Sequence, residues 1–413
     1  MLTPAADAHH ALAPARARLA ARDAELLDLQ AAVTEIPAPT GEEGERARWV
    51  AERFAALGLA DVRLDAAGNV VARRPGAGDP AEPPVAVCAH LDTVFPRATP
   101  LLVRRGRAAD GAVRLAAPGI GDNGRGLAAL VALAGAFDGR RVRTRRPVEF
   151  VATVGEEGLG DLRGAKHYFA EAARAGRAPA AAVVLDGAGD ERVVHRAVGA
   201  RRFRAEFRGP GGHSWAAFGA PNAVHAAARA AARLADLPLP SGQPGAGPRV
   251  TVSVGRIGGG MSVNAIPAEA WMEIDLRATA PELLDAYEQT VRRAVQAAAA
   301  AENAARAPDA PPLRAGVRVI GDRPAGAVPA AHPLVAAAAA ATRLVGRAPV
   351  LGAASTDANV PLGLGVPAVA VGAGGRGGDA HTPDEWYEDA EGVVGVARAL
   401  VLVASAAGVA GAA

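Results

Sequence analysis

The sequence predicts an α/β protein whose sheet is covered on both faces, interrupted by an inserted domain with the ferredoxin-like order of elements. Two observations lead there. Four short apolar runs rich in Val and Ala, Val85 to Ala89, Val148 to Val154, Ala181 to Leu185 and Ala368 to Val371, read as fully buried strands. They alternate with helical stretches such as Gly126 to Phe137 and Gly164 to Ala175. Between the third and fourth runs, Val198 to Arg208, Val250 to Ile257, Trp271 to Arg277 and Val317 to Ile320 read as strands, with helices at Ala223 to Leu234 and Pro281 to Ala305. That succession, β-α-β-β-α-β, is the ferredoxin-like one. Residues 1–196 and 323–413 are therefore expected to form the sheet domain, and residues 197–322 the insert.

Composition is compatible with this and excludes several functions. A chain of 413 residues, half of them hydrophobic, exceeds the usual single-domain size. Lys and Arg number 45 against 43 Asp and Glu, so no basic excess points to nucleic acid. The bases are nearly all arginine beside a single lysine, Lys166, a bias that gives any one arginine little functional weight. The lone cysteine, Cys88, rules out a disulfide framework and a thiolate zinc site, and its apolar surroundings read as core. The N-terminal MLTPAADAHHALAPARARLAARDAELL reads as a polar, Ala-rich helix without the apolar core of a secretory signal, which predicts a cytoplasmic protein. The C-terminal VVGVARALVLVASAAGVAGAA is interrupted by Arg398, is too short beyond it to span a bilayer, and reads as a packed helix.

The candidate chemistry is positional. Each apolar strand is followed by residues of metal-ligand type: His90 and Asp92, Glu156 and Glu157, Asp186, and His381 in a Gly-rich loop. The carboxyl ends of strands in open α/β sheets are where sites gather. In His90-Leu91-Asp92 both polar side chains fall on one side of an extended segment, so His90 can bind a metal while Asp92 fixes its tautomer. Asp122 lies in PGIGDNGRG, where glycines allow an unusual turn. Gly119, Gly121 and Gly124 also match a dinucleotide fingerprint, which makes a nucleotide-binding oxidoreductase the rival from another class. Against it, no clear strand precedes the glycines, and Asp122 would face a pyrophosphate.

Glu156 and Glu157 would be repelled by Asp122 and Asp186 if these gather. Two like charges at 4 Å cost about 4 kcal/mol at an effective dielectric of 20. Bound dications reverse that sign. Nitrogen and oxygen donors without sulfur suit Zn²⁺, with Co²⁺ or Mn²⁺ as alternatives.

With these residues in view, the chain resembles peptidase family M20, the group of tripeptide aminopeptidases, glutamate carboxypeptidases and aminoacylases. The motifs that carry the resemblance span nearly the whole chain: IPAPTGEE, AHLDTVFP, GIGDNGRG, TVGEEGLGDLRGAKH, VVLDG, GPGGHSWAAFGAPN, SVNAIP, MEIDLR and DAHTPDEW. The resemblance implies a Zn-peptidase-like mixed sheet with an inserted lid and dimerisation domain, and a homodimer. It implies two metal ions, one held by His90 and Asp186, the other by Glu157 and His381, with Asp122 bridging and a cis peptide between Asp122 and Asn123. Glu156 is then the general base. His213 matches a lid histidine that stabilises the oxyanion, often across a dimer interface; Asn264 and Arg277 match substrate-facing positions, although a structural arginine at a strand end is an equal reading of Arg277. Ser355, Thr356 and Asp357 are either pocket-lining residues or a plain turn. The closest pattern is that of tripeptidases, so an exopeptidase on short peptides comes first and an N-acyl-amino-acid deacylase second. Ser214 and Trp215 depart from the Pro and Gly that follow the lid histidine in typical aminotripeptidases. A catalytically inactive binding protein is disfavoured because every catalytic position holds a competent residue. The remaining histidines, His9, His10, His167, His195, His225 and His332, are expected to be structural or exposed.

Overall fold

The computed structural model describes residues 2–138, 142–242 and 247–410. They divide into two compact units, Met1–Ala197 with Ala327–Ala413, and Val198–Gly326. The second edge of the insert falls beyond residue 322 because the strand Arg314–Arg323 keeps its pairing with Gly199–Arg208 through Arg323 and Ala200.

In the first unit seven strands of the nine-stranded sheet run in the order Ala60–Leu64, Val70–Arg74, Val148–Thr153, Val85–His90, Ala181–Leu185, Ala368–Val371, Arg192–Ala197, and Val350–Ala354 and the short Gly326–Ala327 complete it beside the last. The four Val- and Ala-rich strands in its middle are mutually parallel. Every residue in them is buried. Since side chains alternate between faces, both faces must be covered. The helices Gly126–Ala136, Pro333–Leu344 and Val393–Ala407 pack against these strands. Cys88 is buried and unbridged. Four parallel strands end at one edge of the sheet, and this alone brings residues far apart in sequence together.

The N-terminal stretch is not one helix but three, Ala5–Ala11, Ala13–Ala20 and Asp23–Thr34. Pro14 lies in the first turn of the second, where its missing N–H leaves no intrahelical bond unmade. Arg398 does not interrupt the C-terminal helix. It is fully buried within Val393–Ala407 and donates to the carbonyls of Asp190 and Gly372, each at 2.6 Å. The last three residues of that apolar run lie outside the described residues. Among the described residues no helix is long and apolar enough to cross a membrane.

Two features have no counterpart in the apolar periodicity. One is the hairpin of Ala60–Leu64 and Val70–Arg74, whose turn is tied by Asp65 Oδ1 accepting the N–H groups of Ala67, Gly68 and Asn69. The other is a small sheet in the order Arg376–Gly378, Trp386–Glu388, Val113–Ala116, Arg104–Arg107.

The second unit is a four-stranded antiparallel sheet in the order Val250–Gly259, Glu269–Ala278, Gly199–Arg208, Arg314–Arg323. With helices Ala223–Ala235 and Pro281–Ala304 it has the ferredoxin-like arrangement. Burial alternates along Glu269–Ala278: Met272, Ile274 and Leu276 enter the core with Phe203 and Phe207. The opposite face carries a charge ladder in which Arg204 meets Glu273 at 2.9 Å and Arg202 meets Asp275 at 3.1 Å.

Candidate metal centre

His90 is the last residue of its strand, and its Nε2 lies 3.0 Å from Asp122 Oδ1. Its Nδ1 is 3.0 Å from the carbonyl oxygen of Asp92 and 3.6 Å from the Asp92 carboxylate. The ring is thus held by a backbone acceptor, with the Asp92 carboxylate at ion-pair distance behind it. The Asp92 carboxylate also organises the next strand end. Its two oxygens accept the N–H groups of Glu156 and Glu157, each at 2.9 Å, and one also accepts the Thr40 hydroxyl at 2.9 Å. Burial alone would raise the Asp92 pKa, but the His90 ring and the two N–H donors outweigh it and hold it at about 2. Arg46, fully buried, fixes the segment below by donating to the carbonyls of Ile36 at 2.6 Å and Leu91 at 2.7 Å.

The Gly-rich segment enters with Gly119 at φ 76°, a conformation glycine adopts without steric cost. Within the turn Ile120–Arg125, Asp122 and Asn123 leave helical dihedrals, and the peptide between them is cis. Two buried side chains hold this shape. The Glu385 carboxylate accepts the N–H of Gly119 at 2.8 Å, of Gly121 at 2.9 Å and of Asp122 at 2.8 Å. Asn123 donates to the Leu185 carbonyl at 3.0 Å and accepts from Gly126 and Gly187, each at 3.1 Å. It thereby ties the turn to the strand end that carries Asp186. A side chain at Gly126 would collide with Asn123 Oδ1 at 2.0 Å. The fingerprint of glycines therefore serves no pyrophosphate: the N–H groups of Gly119 and Gly121 are already spent on Glu385, and that of Gly124 on the Gly119 carbonyl.

Glu385 was not singled out by sequence, and it makes a test of the centre's support. Replacing it with Ala leaves three buried N–H groups without an acceptor, each costing about 1–3 kcal/mol. Glu385→Ala should lower unfolding stability by roughly 3 kcal/mol or more and weaken metal binding about 10- to 100-fold, as loss of groups that orient ligands does. Urea unfolding and a chelator competition check both; unchanged metal affinity would remove Glu385 from the site's framework.

Asp122 reaches a histidine with each oxygen, Oδ1 to His90 and Oδ2 to His381 Nε2 at 3.1 Å. His381 Nε2 is also 3.0 Å from Glu157 Oε1. Donor atoms of His90, Asp122 and Glu157 all fall within 4.8 Å of one another. His381 has a positive φ of 66° in the loop between Arg376–Gly378 and Trp386–Glu388, so the small sheet positions it. Asp186 follows directly on the strand Ala181–Leu185. Glu156 is almost fully buried.

The electrostatics record how closely these carboxylates are gathered. Burial, reinforced by Asp122 and Glu156, pushes Asp186 up to about 8 and Glu157 up to about 7. Hydrogen bonds to His381 and His90 overcome burial and hold Asp122 well below the usual carboxylate range. The bond to Asp122 raises His381 to about 9. A partly buried set of imidazole nitrogens and mutually repelling carboxylate oxygens, open to solvent at His381, fits divalent cations, whose charge removes the repulsion.

His213, Asn264 and Arg277 belong to the second unit. His213 pairs with Ala265 across a short ladder, and Ser214 N–H donates to the Asn264 carbonyl at 2.9 Å, so His213 and Asn264 are neighbours. His213 Nδ1 accepts from Trp215 N–H at 3.2 Å, which leaves the proton of a neutral ring on Nε2. Beside it Trp215 is 87% and Phe218 88% exposed. Arg277 pairs with Asp275 at 2.7 Å in the charge ladder. In the first unit Asp357 is buried, with one oxygen accepting the Thr153 hydroxyl and the other, Oδ1, lacking a partner. Of the other histidines, His332 caps the helix Pro333–Leu344 and His195 bonds the Val328 carbonyl. His167 approaches Glu171 at 3.4 Å and Asp65 at 3.9 Å, but Asp65 is saturated by its own turn.

A search among curated proteins returns no significant match. Solved structures do match. The aminopeptidase PepT of Bacillus cereus superposes with a TM-score of 0.71 at 22% identity over 92% of this chain and 98% of that one. A tripeptidase of Staphylococcus aureus gives 0.73 at 21% identity, again over 92% and 98%. The YXEP protein of Bacillus subtilis, described as a dinuclear metal binding peptidase from the M20 family, gives 0.66 at 18% identity over 93% and 98%. At these identities the likeness shows the fold. The family model for peptidase family M20/M25/M40 matches residues 86–405, which include His90, Asp122, Glu156, Glu157, Asp186 and His381, and the chain therefore belongs to that family and is a hydrolase of amide bonds.

Proposed function

We propose that the protein is an exopeptidase on short peptides that works with two divalent metal ions, zinc first among them. The observation that carries this reading is the meeting of His90, Asp122, Glu157 and His381 at the carboxyl edge of four parallel strands. In it His90 and Asp186 would hold one ion and Glu157 and His381 the other, and Asp122, with one oxygen toward each histidine, would be available to both. When bound, such ions polarise the scissile carbonyl and lower the pKa of water toward neutrality. Glu156 accepts the proton of the attacking water and returns it to the leaving amine. Asp92 holds the backbone of Glu156 and Glu157 in place for these separate tasks. His213, with its Nε2 proton, donates to the developing oxyanion.

The same reading makes the second unit a lid and dimerisation domain. The strand Val250–Gly259 lies at the edge of its sheet, and beside it a groove is lined by Ala231, Ala235, Val252, Val254 and Ile257. An unprotected edge next to an apolar groove supports a homodimer formed through this strand. In this reading Asn264, the neighbour of His213, contacts substrate, while the pairing of Arg277 with Asp275 supports a structural role for that arginine over a substrate contact. A cytoplasmic location agrees with the lone, buried Cys88.

The aminopeptidase PepT and the tripeptidase named above support the exopeptidase reading, and one observation favours the second, N-acyl-amino-acid deacylase: Ser214 and the exposed Trp215 after His213, where typical aminotripeptidases carry Pro and Gly. Hydrolysis of free tripeptides, N-blocked dipeptides and N-acetyl amino acids by metal-reconstituted protein decides between them. Cleavage confined to free tripeptides is expected. Cleavage of blocked substrates alone would make it a deacylase or carboxypeptidase, and no turnover with two metals bound would end both readings.

A further inference from the structure

The first unit has a second concavity whose lining includes none of the candidate metal ligands. It lies among the helices Ala13–Ala20, Asp23–Thr34, Gly44–Ala56 and Gly126–Ala136, with a volume of about 450 Å³. That is the size of a small-molecule pocket. Its walls are apolar, formed by Leu19, Leu26, Leu29, Leu57, Val131 and Ala132. Gly135 keeps it open, because a Cβ there would come within 3.2 Å of a Leu57 methyl.

Three arginines, Arg18, Arg22 and Arg53, line the same concavity. Arg22 is neutralised by Glu25. Among the described residues Arg18 and Arg53 make no ion pair; Arg53 lies over the Trp49 ring at 4.9 Å. An apolar cleft rimmed by two unneutralised guanidiniums is complementary to a molecule with an apolar body and one anionic end, and the planar fork of a guanidinium matches a carboxylate.

From this complementarity we infer that the groove binds a medium-chain aliphatic carboxylate, its tail against Leu19, Leu29 and Leu57 and its head at Arg18 and Arg53. The site is independent of the chemistry at the metal centre. Isothermal titration of the metal-loaded full-length protein with decanoate tests it, with butyrate and decylammonium as comparators and the metal-free protein as control. Decanoate should bind one to one, at least tenfold tighter than either comparator, with the same affinity after metal removal, and should change the fluorescence of Trp49 but not of a Trp49→Phe variant. Arg18→Glu combined with Arg53→Glu, and separately Ala132→Leu, which fills the cleft, should each weaken binding at least tenfold at unchanged thermal stability. Absence of binding up to millimolar decanoate, loss of binding with the metals, equal binding of decylammonium, or variants that bind like the parent would each overturn the inference. A change of oligomeric state in Ala132→Leu would assign the groove to a second copy instead.

Discussion

Glu156→Gln is expected to lower kcat by about 10³-fold, within the range of about 10²–10⁴ attributed to a positioned general base, while both metals stay bound. Gln has the shape of Glu but cannot accept the proton of the attacking water, and it preserves the backbone N–H that Asp92 accepts at 2.9 Å. The loss should fall on kcat with KM little changed, because the group acts in the transition state and not in holding the ground state. The neighbouring Glu157→Gln makes the contrast. Its carboxylate lies 3.0 Å from His381, so that variant should lose metal, and activity with it. Steady-state kinetics with metal analysis of both variants separates the roles. A Glu156→Gln protein with more than a tenth of parental kcat would leave the assignment of the base without support.

How far these roles were legible in the sequence depended on range. The sheet edge was readable because four Val- and Ala-rich runs are buried on both faces, and a residue one to three positions after such a run must emerge at the carboxyl end. His90, Asp92, Glu156, Glu157 and Asp186 follow from that local rule. His381 needed more, since nine residues, 372–380, separate it from the strand end and include a strand of a small sheet whose Arg- and Gly-containing strands carry no apolar alternation. The supports were not legible at all. Glu385 and the turn it holds are distant in sequence, as are Arg46 and Leu91, and no periodicity links a buried carboxylate or guanidinium to backbone groups it meets only after folding. The second task of Asp92, beyond the His90 ring 3.6 Å away, has the same origin. Spacing placed its side chain near His90, but the N–H groups of Glu156 and Glu157, brought by an adjacent strand, offer its carboxylate two bonds. In the insert the opposite held, because strand alternation and helix amphipathicity specify a ferredoxin-like unit from nearest-neighbour pattern alone.

Stripping the metals should make stability fall as pH rises, and restoring them should reverse the trend. Asp186 and Glu157 have folded pKa values of about 8 and about 7, raised by burial from 3.8 and 4.5. Between the unfolded and folded values the unfolded chain has released a proton that the folded one retains, so unfolding stability declines with pH. His381, raised from 6.5 to about 9 by Asp122, contributes stability that is complete below pH 6.5 and is lost as pH climbs through 9. Asp122 works in the other direction, but its contribution is present above pH 3.8 and is lost only in stronger acid. Across pH 5 to 9 the three raised groups therefore act together, and the Tm of chelated protein should drop by an amount on the order of 5–10 °C. Metal binding demands deprotonated ligands and grows stronger over the same interval. The metal-loaded curve should hence stay level or rise, and the gap between the two should widen steadily toward alkaline pH. Thermal melts at half-unit steps, with chelator and with saturating Zn²⁺, measure that gap. A metal-free Tm that stays flat or rises from pH 5 to 9 would mean that these carboxylates do not gather before the ions arrive, and that metal binding itself assembles the centre.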